Sequence, residues 1–166
     1  LTGWISYTLS KAEQRTPGRN ADEPGINNGA WYRASYDKLH NLSVTAAYTL
    51  TPKWTFGGIF TYQSGKAATF PNGKYLYQGM TVANYGSRNE DSLSSYNHLD
   101  ISATYIPKPD KIKGWQGEWV FSIYNVYNRS NAASYTFGQN PTTGDSEVRR
   151  TSIFGIIPSV TYNFKF

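Results

Sequence analysis

Apolar side chains recur at every second position in six separate stretches of this chain. Successive side chains of a β-strand point to opposite faces, whereas helical faces repeat about every 3.6 residues, so this period predicts strands rather than helices. The alternation slips near Tyr124 and Asn125, where we expect a β-bulge. The six predicted strands cover residues 4–10, 41–50, 54–63, 99–106, 119–128 and 153–164.

Charge is almost absent from these six predicted strands. Asp100 is their only charged side chain, and it falls on the more polar face of its strand. A sheet face that meets water ordinarily carries Lys and Glu, whereas Lys or Arg on a lipid face at mid-bilayer costs about 2 to 4 kcal/mol. The pattern therefore predicts that one face meets lipid and that Asp100 faces an enclosed lumen.

The segments between the predicted strands alternate in length. Residues 51–53 and 107–118 form shorter connections than residues 11–40, 64–97 and 129–150. Compact soluble domains rarely contain a structureless loop longer than about 12 to 15 residues, but outer-membrane barrels combine short periplasmic turns with long extracellular loops. The predicted fold class is therefore all-β, an antiparallel transmembrane β-barrel. Within the second long connection a hairpin could form, although the surrounding Gly, Asn and Pro favour an extracellular projection.

Aromatic residues group at the ends of the predicted strands. A soluble sandwich with cross-strand aromatic pairs would explain the alternation but not this grouping. Aromatic rings with one wet edge favour the two interfaces of a membrane. We expect Tyr62, Tyr127 and Phe154 at one interface, and at the other Trp4, Tyr48, Trp54, Tyr105, Trp119 and the run from Tyr162 to Phe166.

The amino-acid composition excludes several kinds of chemical site. The chain has no cysteine, which excludes disulfides, thiolate metal sites and cysteine nucleophiles. Two histidines, His40 and His98, leave little for a metal site or a catalytic triad, so we expect no enzyme activity, cofactor or metal. The net charge of +5 comes from basic residues scattered over the loops, so nucleic-acid binding is not expected. Lipopolysaccharide phosphates or an anionic nutrient would account for it.

Four segments together resemble a known family of membrane proteins. They contain the runs SYTLSKAE, YDKLHNL, FSIYNVYNR and IPSVTYNFKF. Across essentially the whole chain, this combination is similar to the last strands of TonB-dependent outer-membrane receptors, especially those of Bacteroidetes-type bacteria. The resemblance implies a barrel of about 22 strands closed by an N-terminal plug. Residues 1–166 would then be the C-terminal section of that one barrel domain, its last six strands, with the plug and the earlier strands upstream.

The resemblance also implies a function, which is TonB-dependent uptake of a siderophore, vitamin, glycan or peptide across the bacterial outer membrane. The implied partners are outer-membrane lipid, lipopolysaccharide and, through the missing N-terminal region, the TonB complex; a surface lipoprotein is left open. The alternative is a passive porin, or a structural or secretion-associated barrel without TonB coupling. An outer-membrane hydrolase is a third class, for which no convincing catalytic set is found in the sequence.

Candidate ligand-contacting residues lie in the first two long connections. Aromatic faces stack on sugars or chelates, and arginine pairs with anions. Such groups in extracellular loops are therefore expected to meet the nutrient. The candidates are Trp31, Tyr32, Arg33, Tyr75, Tyr77 and Arg88.

The C-terminal strand has a predicted role of its own. Aromatic and apolar residues alternate up to the terminus, and such a strand is suited to adding to an exposed sheet edge. The pattern resembles the signal by which the barrel assembly machinery recognises outer-membrane barrels for insertion, and the same residues would face lipid afterwards. They are Pro158, Val160, Tyr162, Phe164 and Phe166.

Overall fold

A computed structural model describes residues 1–20, 22–110, 114–140, 142–143 and 146–165. The chain is all-β with antiparallel strand pairing, as the sequence predicts. One short 3-10 segment, Ile26–Gly29, has Asn27 and Asn28 in the left-handed region, with φ of 50° and 54°. The strands in chain order are β1 Thr2–Leu9, β2 Glu13–Gln14, β3 Tyr32–Arg33, β4 His40–Thr51, β5 Trp54–Gln63, β6 Ala67–Ala68, β7 Pro71–Tyr77, β8 Met80–Tyr85, β9 Asp91–Ser92, β10 Tyr96–Tyr105, β11 Gln116–Tyr124, β12 Ser134–Gln139, β13 Ser146–Thr151 and β14 Ile157–Lys165.

Six of these strands form a single sheet in the order β1–β4–β5–β10–β11–β14. The six predicted strands are therefore confirmed, and each is a neighbour in space of the next one along the chain. Strands β1 and β14 form the two edges, so the sheet built by the described residues is open rather than closed into a barrel. The remaining strands pair two by two, as β2 with β3, β6 with β9, β7 with β8 and β12 with β13.

The chain divides into two compact units. The sheet unit comprises residues 1–7, 42–62 and 96–166 and contains most of the six-stranded sheet. The loop unit comprises residues 8–41 and 63–95 and contains β2, β3 and β6 to β9. The first two long connections therefore fold together into one body, an arrangement that their sequence does not predict.

The sheet unit has two chemically different faces. Pairing of β10 with β11 and of β11 with β14 aligns side chains in rows that run across the three strands. Small hydroxyl side chains dominate the polar face, which has the rows Ser102–Ser122–Ser159 and Thr104–Val120–Thr161. The apolar face has the rows Ile101–Ile123–Pro158, Ala103–Phe121–Val160 and Tyr105–Trp119–Tyr162.

The apolar face has no covering layer within the described residues. Phe56, Val160 and Phe164 expose 42%, 62% and 60% of their surface, and no apolar side chain in the described part of the sheet unit is buried. A soluble sandwich would enclose such rings between two sheets, whereas these three side chains are exposed. The buried apolar residues of the described chain all belong to the loop unit and are Tyr32, Ala34 and Ala67.

Aromatic rings form a row across one end of the apolar face. The ring centroids of Trp54 and Tyr105 lie 4.7 Å apart, and those of Trp119 and Tyr162 lie 4.5 Å apart. Tyr105 is directly opposite Trp119, so four adjacent strands contribute to this aromatic row. Each such pair stabilises the fold by about 0.5–1.5 kcal/mol beyond its buried area. The predicted grouping of these four rings at one end of the strands is confirmed.

The observed strand ends change the distribution of charge. Strand β11 covers Gln116–Tyr124 rather than residues 119–128, and β14 continues to Lys165. These ends bring two further charges, Glu118 and Lys165, into the sheet, so Asp100, the only charged side chain within the predicted bounds, is one of three in the observed strands. Both new charges lie in register with polar-face positions, and the apolar rows stay uncharged.

Strand β11 ends at Tyr124, and the next residue, Asn125, has a φ of 51°. The Asn125 N–H donates to Asp100 Oδ1 at 2.9 Å, and the next N–H, of Val126, donates to the Leu99 carbonyl at 2.8 Å. The Asn128 N–H donates to the Asn125 carbonyl at 2.8 Å, so a turn lies at the position where the sequence predicts a β-bulge. The pairing of β10 with β11 is regular and has no register shift. The buried Asn125 amide donates to the Arg129 carbonyl at 2.9 Å and accepts from the Arg129 N–H at 3.0 Å.

Replacing Asn125 by alanine should destabilise the sheet unit. The change removes two hydrogen bonds to the backbone of Arg129, each worth about 0.5–1.5 kcal/mol, and alanine tolerates positive φ less well than asparagine. The measurement is the free energy of unfolding in urea for the protein in detergent micelles. Asn84→Ala, in an exposed hairpin, is the matched control and should have little effect. Equal stability of Asn125→Ala and the wild type would contradict this account.

Candidate functional site

The loop unit connects the two segments that carry the predicted ligand-contacting residues. The Asn27 side chain accepts the Arg88 N–H at 2.7 Å and donates to the Arg88 carbonyl at 3.0 Å. The buried Asn89 amide donates to the Arg33 carbonyl at 2.7 Å. These bonds join residues 61 and 56 positions apart in the chain. The two long connections therefore form one folded candidate site, held by asparagines that the sequence does not single out.

A buried ion pair is the main electrostatic feature of the loop unit. Arg33 Nε donates to Asp37 Oδ2 at 2.8 Å, and the Asp37 side chain is only 2% exposed. The Ala12 N–H donates to Asp37 Oδ1 at 2.7 Å. Burial alone would raise the pKa of Asp37, but the Ala12 hydrogen bond and the Arg33 charge together hold that pKa below its ordinary value. Asp37 is therefore ionised at neutral pH and fixes the position of Arg33.

The Arg33 guanidinium also contacts the second segment. Its Nη1 donates to Ser92 Oγ at 2.7 Å, and its Nη2 makes a long contact of 3.5 Å to the Gly65 carbonyl. Arg33 is half-buried, and these bonds leave part of its donor capacity unused. One side chain from the first connection thus organises both connections.

A cavity of about 410 Å³ lies beside this ion pair. Its volume falls within the range of about 300–1,000 Å³ that is usual for small-molecule sites. The lining residues combine cationic side chains, hydroxyl groups and backbone, although carbon atoms make up most of the wall surface. The walls are formed by Lys11, Arg33, Asp37, Leu39, His40, Ser64, Gly65 and Ser92.

The predicted ligand-contacting residues of the first connection take different positions. Trp31 is exposed, as expected for a ligand contact. Tyr32 is only 6% exposed, and its hydroxyl lies 3.1 Å from the Thr16 hydroxyl. Tyr32 therefore belongs to the packed interior of the loop unit rather than to a solvent-facing ligand surface. Arg33 lines the cavity.

The candidates of the second connection lie on or after hairpin β7–β8. Tyr75 and Tyr77 are on one face of this hairpin, and both are exposed. The turn is Gln78–Gly79, with both residues at positive φ, so the hairpin that the sequence allows is present. Arg88 follows the hairpin, and its backbone rather than its guanidinium makes the bonds to the first connection.

Asp100, the predicted lumen-facing charge, lies on the polar face of the sheet unit and has two partners. Besides accepting the Asn125 N–H, it places Oδ2 at 3.2 Å from His98 Nε2. The His98 ring centroid lies 5.3 Å from that of Tyr96 and 4.9 Å from that of Tyr124. Asp100 therefore anchors the turn that follows β11 to β10, while the lumen itself stays a prediction.

Four residues of the predicted insertion signal alternate along β14. Pro158, Val160, Tyr162 and Phe164 all lie on the apolar face, and Phe166 lies outside the described residues. Strand β14 is an edge of the six-stranded sheet. An apolar edge strand is the feature expected of a segment that adds to another sheet, and its recognition by the assembly machinery stays a prediction.

No group of three or more His, Asp or Glu side chains among the described residues is placed to hold a metal ion. No helix in the described part of the chain is long and apolar enough to cross a membrane. What the loop unit provides is charge pairing, hydrogen bonding from hydroxyl and guanidinium groups, and exposed aromatic rings.

Protonation of Asp37 should weaken the loop unit. Because folding lowers the pKa of Asp37, the ion pair stabilises fully above the ordinary value of 3.8, and this stabilisation is lost as the pH falls through the folded-state pKa. We expect the hydrogen-exchange protection factor of the Ala12 amide to fall below about pH 4. Asp37→Asn should have low protection already at pH 7, whereas Glu90→Gln, at an exposed carboxylate, should behave as the wild type. An identical pH profile for Asp37→Asn and the wild type would disprove this role.

Comparison with known proteins leaves the family unassigned. No protein-family model matches this sequence, and neither a curated protein nor a solved structure matches it significantly. What the chain does is therefore inferred from its own residues and contacts.

Proposed function

We propose that this chain is the C-terminal section of a transmembrane β-barrel in the bacterial outer membrane, and that the barrel takes up a nutrient with the help of TonB. The main observation in support of a membrane barrel is that the described residues leave the apolar face of the six-stranded sheet uncovered. The resemblance of the sequence to TonB-dependent receptors and the folding of two long connections into one unit support uptake. In this arrangement, the chain supplies the last six of about 22 strands.

Water is a poor solvent for the apolar face. Removing apolar surface from water stabilises a protein by about 25 cal/mol per Å². A contiguous exposed apolar patch larger than a few hundred Å² therefore marks a membrane or protein contact. The apolar rows cross three adjacent strands and contain no charged side chain. Acyl chains would cover these rows without requiring polar partners. The opposite face, with its Ser and Thr rows, is suited to an aqueous or plug-filled lumen.

The aromatic row and the connection lengths support one orientation. Trp and Tyr rings are enriched where membrane meets water, and the aromatic row lies at the end of the strands joined by residues 52–53 and 106–115. The opposite ends are joined by residues 10–39, 64–95 and 125–156. Outer-membrane barrels have short periplasmic turns and long extracellular loops. We therefore assign the aromatic row to the periplasmic interface.

Both edges of the sheet need partners inside a membrane. Each backbone N–H or C=O left unpaired in hydrocarbon costs several kcal/mol, so spanning sheets close into barrels. Further strands of the same barrel would pair with β1 and β14. In this proposal lipid and lipopolysaccharide cover the outside, the TonB complex acts through a region outside this sequence, and the barrel assembly machinery reads β14. A surface lipoprotein partner stays open.

Arginine should be tolerated on one face of the sheet and not on the other. Phe121→Arg places a cation on the apolar face, where lipid burial costs about 2–4 kcal/mol. The adjacent Ser122→Arg directs the same cation to the polar face and should cost much less. Val160→Arg and Ser159→Arg form a second matched pair on the neighbouring strand. The measurement is the unfolding free energy of the full-length protein in lipid vesicles, and a larger penalty for the serine variants would refute the lipid assignment.

Uptake is tested in the bacterium that carries the full-length protein. Growth of a deletion strain is compared with the wild type on defined iron, vitamin, glycan and peptide sources, with and without functional TonB. We expect a defect on one nutrient, restored by the gene only when TonB is present. Restoration without TonB would indicate a passive porin. Membrane insertion without any nutrient-dependent defect would indicate a structural barrel.

A further inference from the structure

We propose that the cavity of the loop unit binds the carboxylate or phosphate group of a small solute, with Arg33 as its main contact. The proposal names the chemical class of ligand, and it rests on the proposed uptake function only for the source of that solute. It stands on the cavity, on its donors and on the fixed position of Arg33.

Hydrogen-bond donors around the cavity keep unused capacity. Ser64 Oγ accepts the His40 N–H at 3.0 Å, and Ser92 Oγ accepts from Arg33 Nη1 at 2.7 Å. Each hydroxyl therefore retains its own O–H to donate, and Arg33 retains N–H groups beyond those already bonded. Several donors beside one cavity favour a ligand that only accepts hydrogen bonds. Carboxylate and phosphate oxygens are such acceptors, and a guanidinium binds them in a forked geometry.

The Asp37 carboxylate in the cavity wall already has hydrogen-bond partners. Both oxygens of Asp37 accept hydrogen bonds, one from Ala12 and one from Arg33, and the side chain is buried. Asp37 therefore holds the guanidinium in one orientation before any ligand arrives. It also offsets part of the Arg33 charge. Lys11 is exposed and paired with Glu13 at 2.9 Å, so it adds attraction at the rim rather than a fixed contact.

The cavity walls disfavour other ligand classes. Leu39 is the one large apolar side chain among the described lining residues, and the other apolar wall surface is carbon of polar residues. A wholly apolar ligand would therefore also cover charged and hydroxyl groups without replacing their hydrogen bonds to water. Neutral sugars bind on aromatic faces, but the exposed rings of Trp31, Tyr75 and Tyr77 are not part of this wall. A volume of about 410 Å³ exceeds the size of a bare oxyanion. The ligand is therefore a small solute that presents a carboxylate or phosphate to Arg33.

The test is isothermal titration of the full-length protein in lipopolysaccharide-free detergent. The probes are inorganic phosphate, succinate and the neutral diamide succinamide. We expect at least one anion to bind and succinamide not to bind. Absence of binding by both anions, or equal binding of succinamide, would overturn the proposal.

Variants locate the site. Arg33→Lys keeps the charge but loses the forked donor geometry, and should weaken anion binding about tenfold. Ser92→Ala keeps the ion pair and should weaken binding severalfold. Lys66→Gln removes an exposed cation outside the cavity wall and should leave binding unchanged. Anion binding that is unaffected by both Arg33→Lys and Ser92→Ala would place the ligand elsewhere and refute the assignment.

Two controls separate folding, ligand source and transport. Hydrogen-exchange protection of the Ala12 amide reports whether each variant keeps the loop unit folded. If Arg33→Lys loses this protection, the assignment is tested with Ser92→Ala instead. A second titration uses lipid A in mixed micelles; binding of lipid A alone would assign the site to a lipid headgroup and overturn the solute proposal. Anion binding in a protein whose deletion causes no growth defect would sustain this site while rejecting the uptake function.

Discussion

The strands of the six-stranded sheet pair with one another, but the described residues do not cover the apolar face of this sheet. A globular domain gains most of its stability by enclosing apolar side chains, yet Phe56 and Val160 stay exposed and the largest fully buried side chain of the described residues is Asn125. Backbone hydrogen bonds between strands can define the sheet, but they do not remove its apolar surface from water. A lipid environment would supply that burial and would strengthen the same hydrogen bonds through its low dielectric.

Short polar side chains stabilise the segments outside the sheet. The loop unit and the turn after β11 both contain Asx side chains that bond to backbone groups, through Asn27, Asp37, Asn89 and Asn125. In the loop unit, these bonds add to a small apolar core formed by Tyr32, Ala34 and Ala67. The buried carboxylate of Asp37 and its partner Arg33 both belong to the first connection.

Local patterns predict the sheet well and the loops poorly, for a physical reason. A two-residue period and the absence of charge are visible within ten residues, so the six strands, their two faces and the aromatic row follow from sequence. Strand ends depend on the partner strand, which is why Glu118 joins β11 unpredicted. The burial of Tyr32 and the pairing of Arg33 with Ser92 depend on contacts between distant segments. Nor does sequence reveal positive φ at Asn125, since asparagine adopts both signs.

The position of Arg33 links ligand binding to the folding of the loops. Its side chain comes from the first connection, while Ser64 and Ser92 come from the second. A solute that accepts hydrogen bonds from both connections would bind the joined loops and not the separated ones, so its binding free energy would add to the stability of the loop unit. Asp37 acts in the same direction, because it holds Arg33 in the orientation that bonds to Ser92 of the second connection. The ion pair and the ligand would therefore act in the same direction, and a receptor built in this way would close its loops most firmly when the cavity is filled.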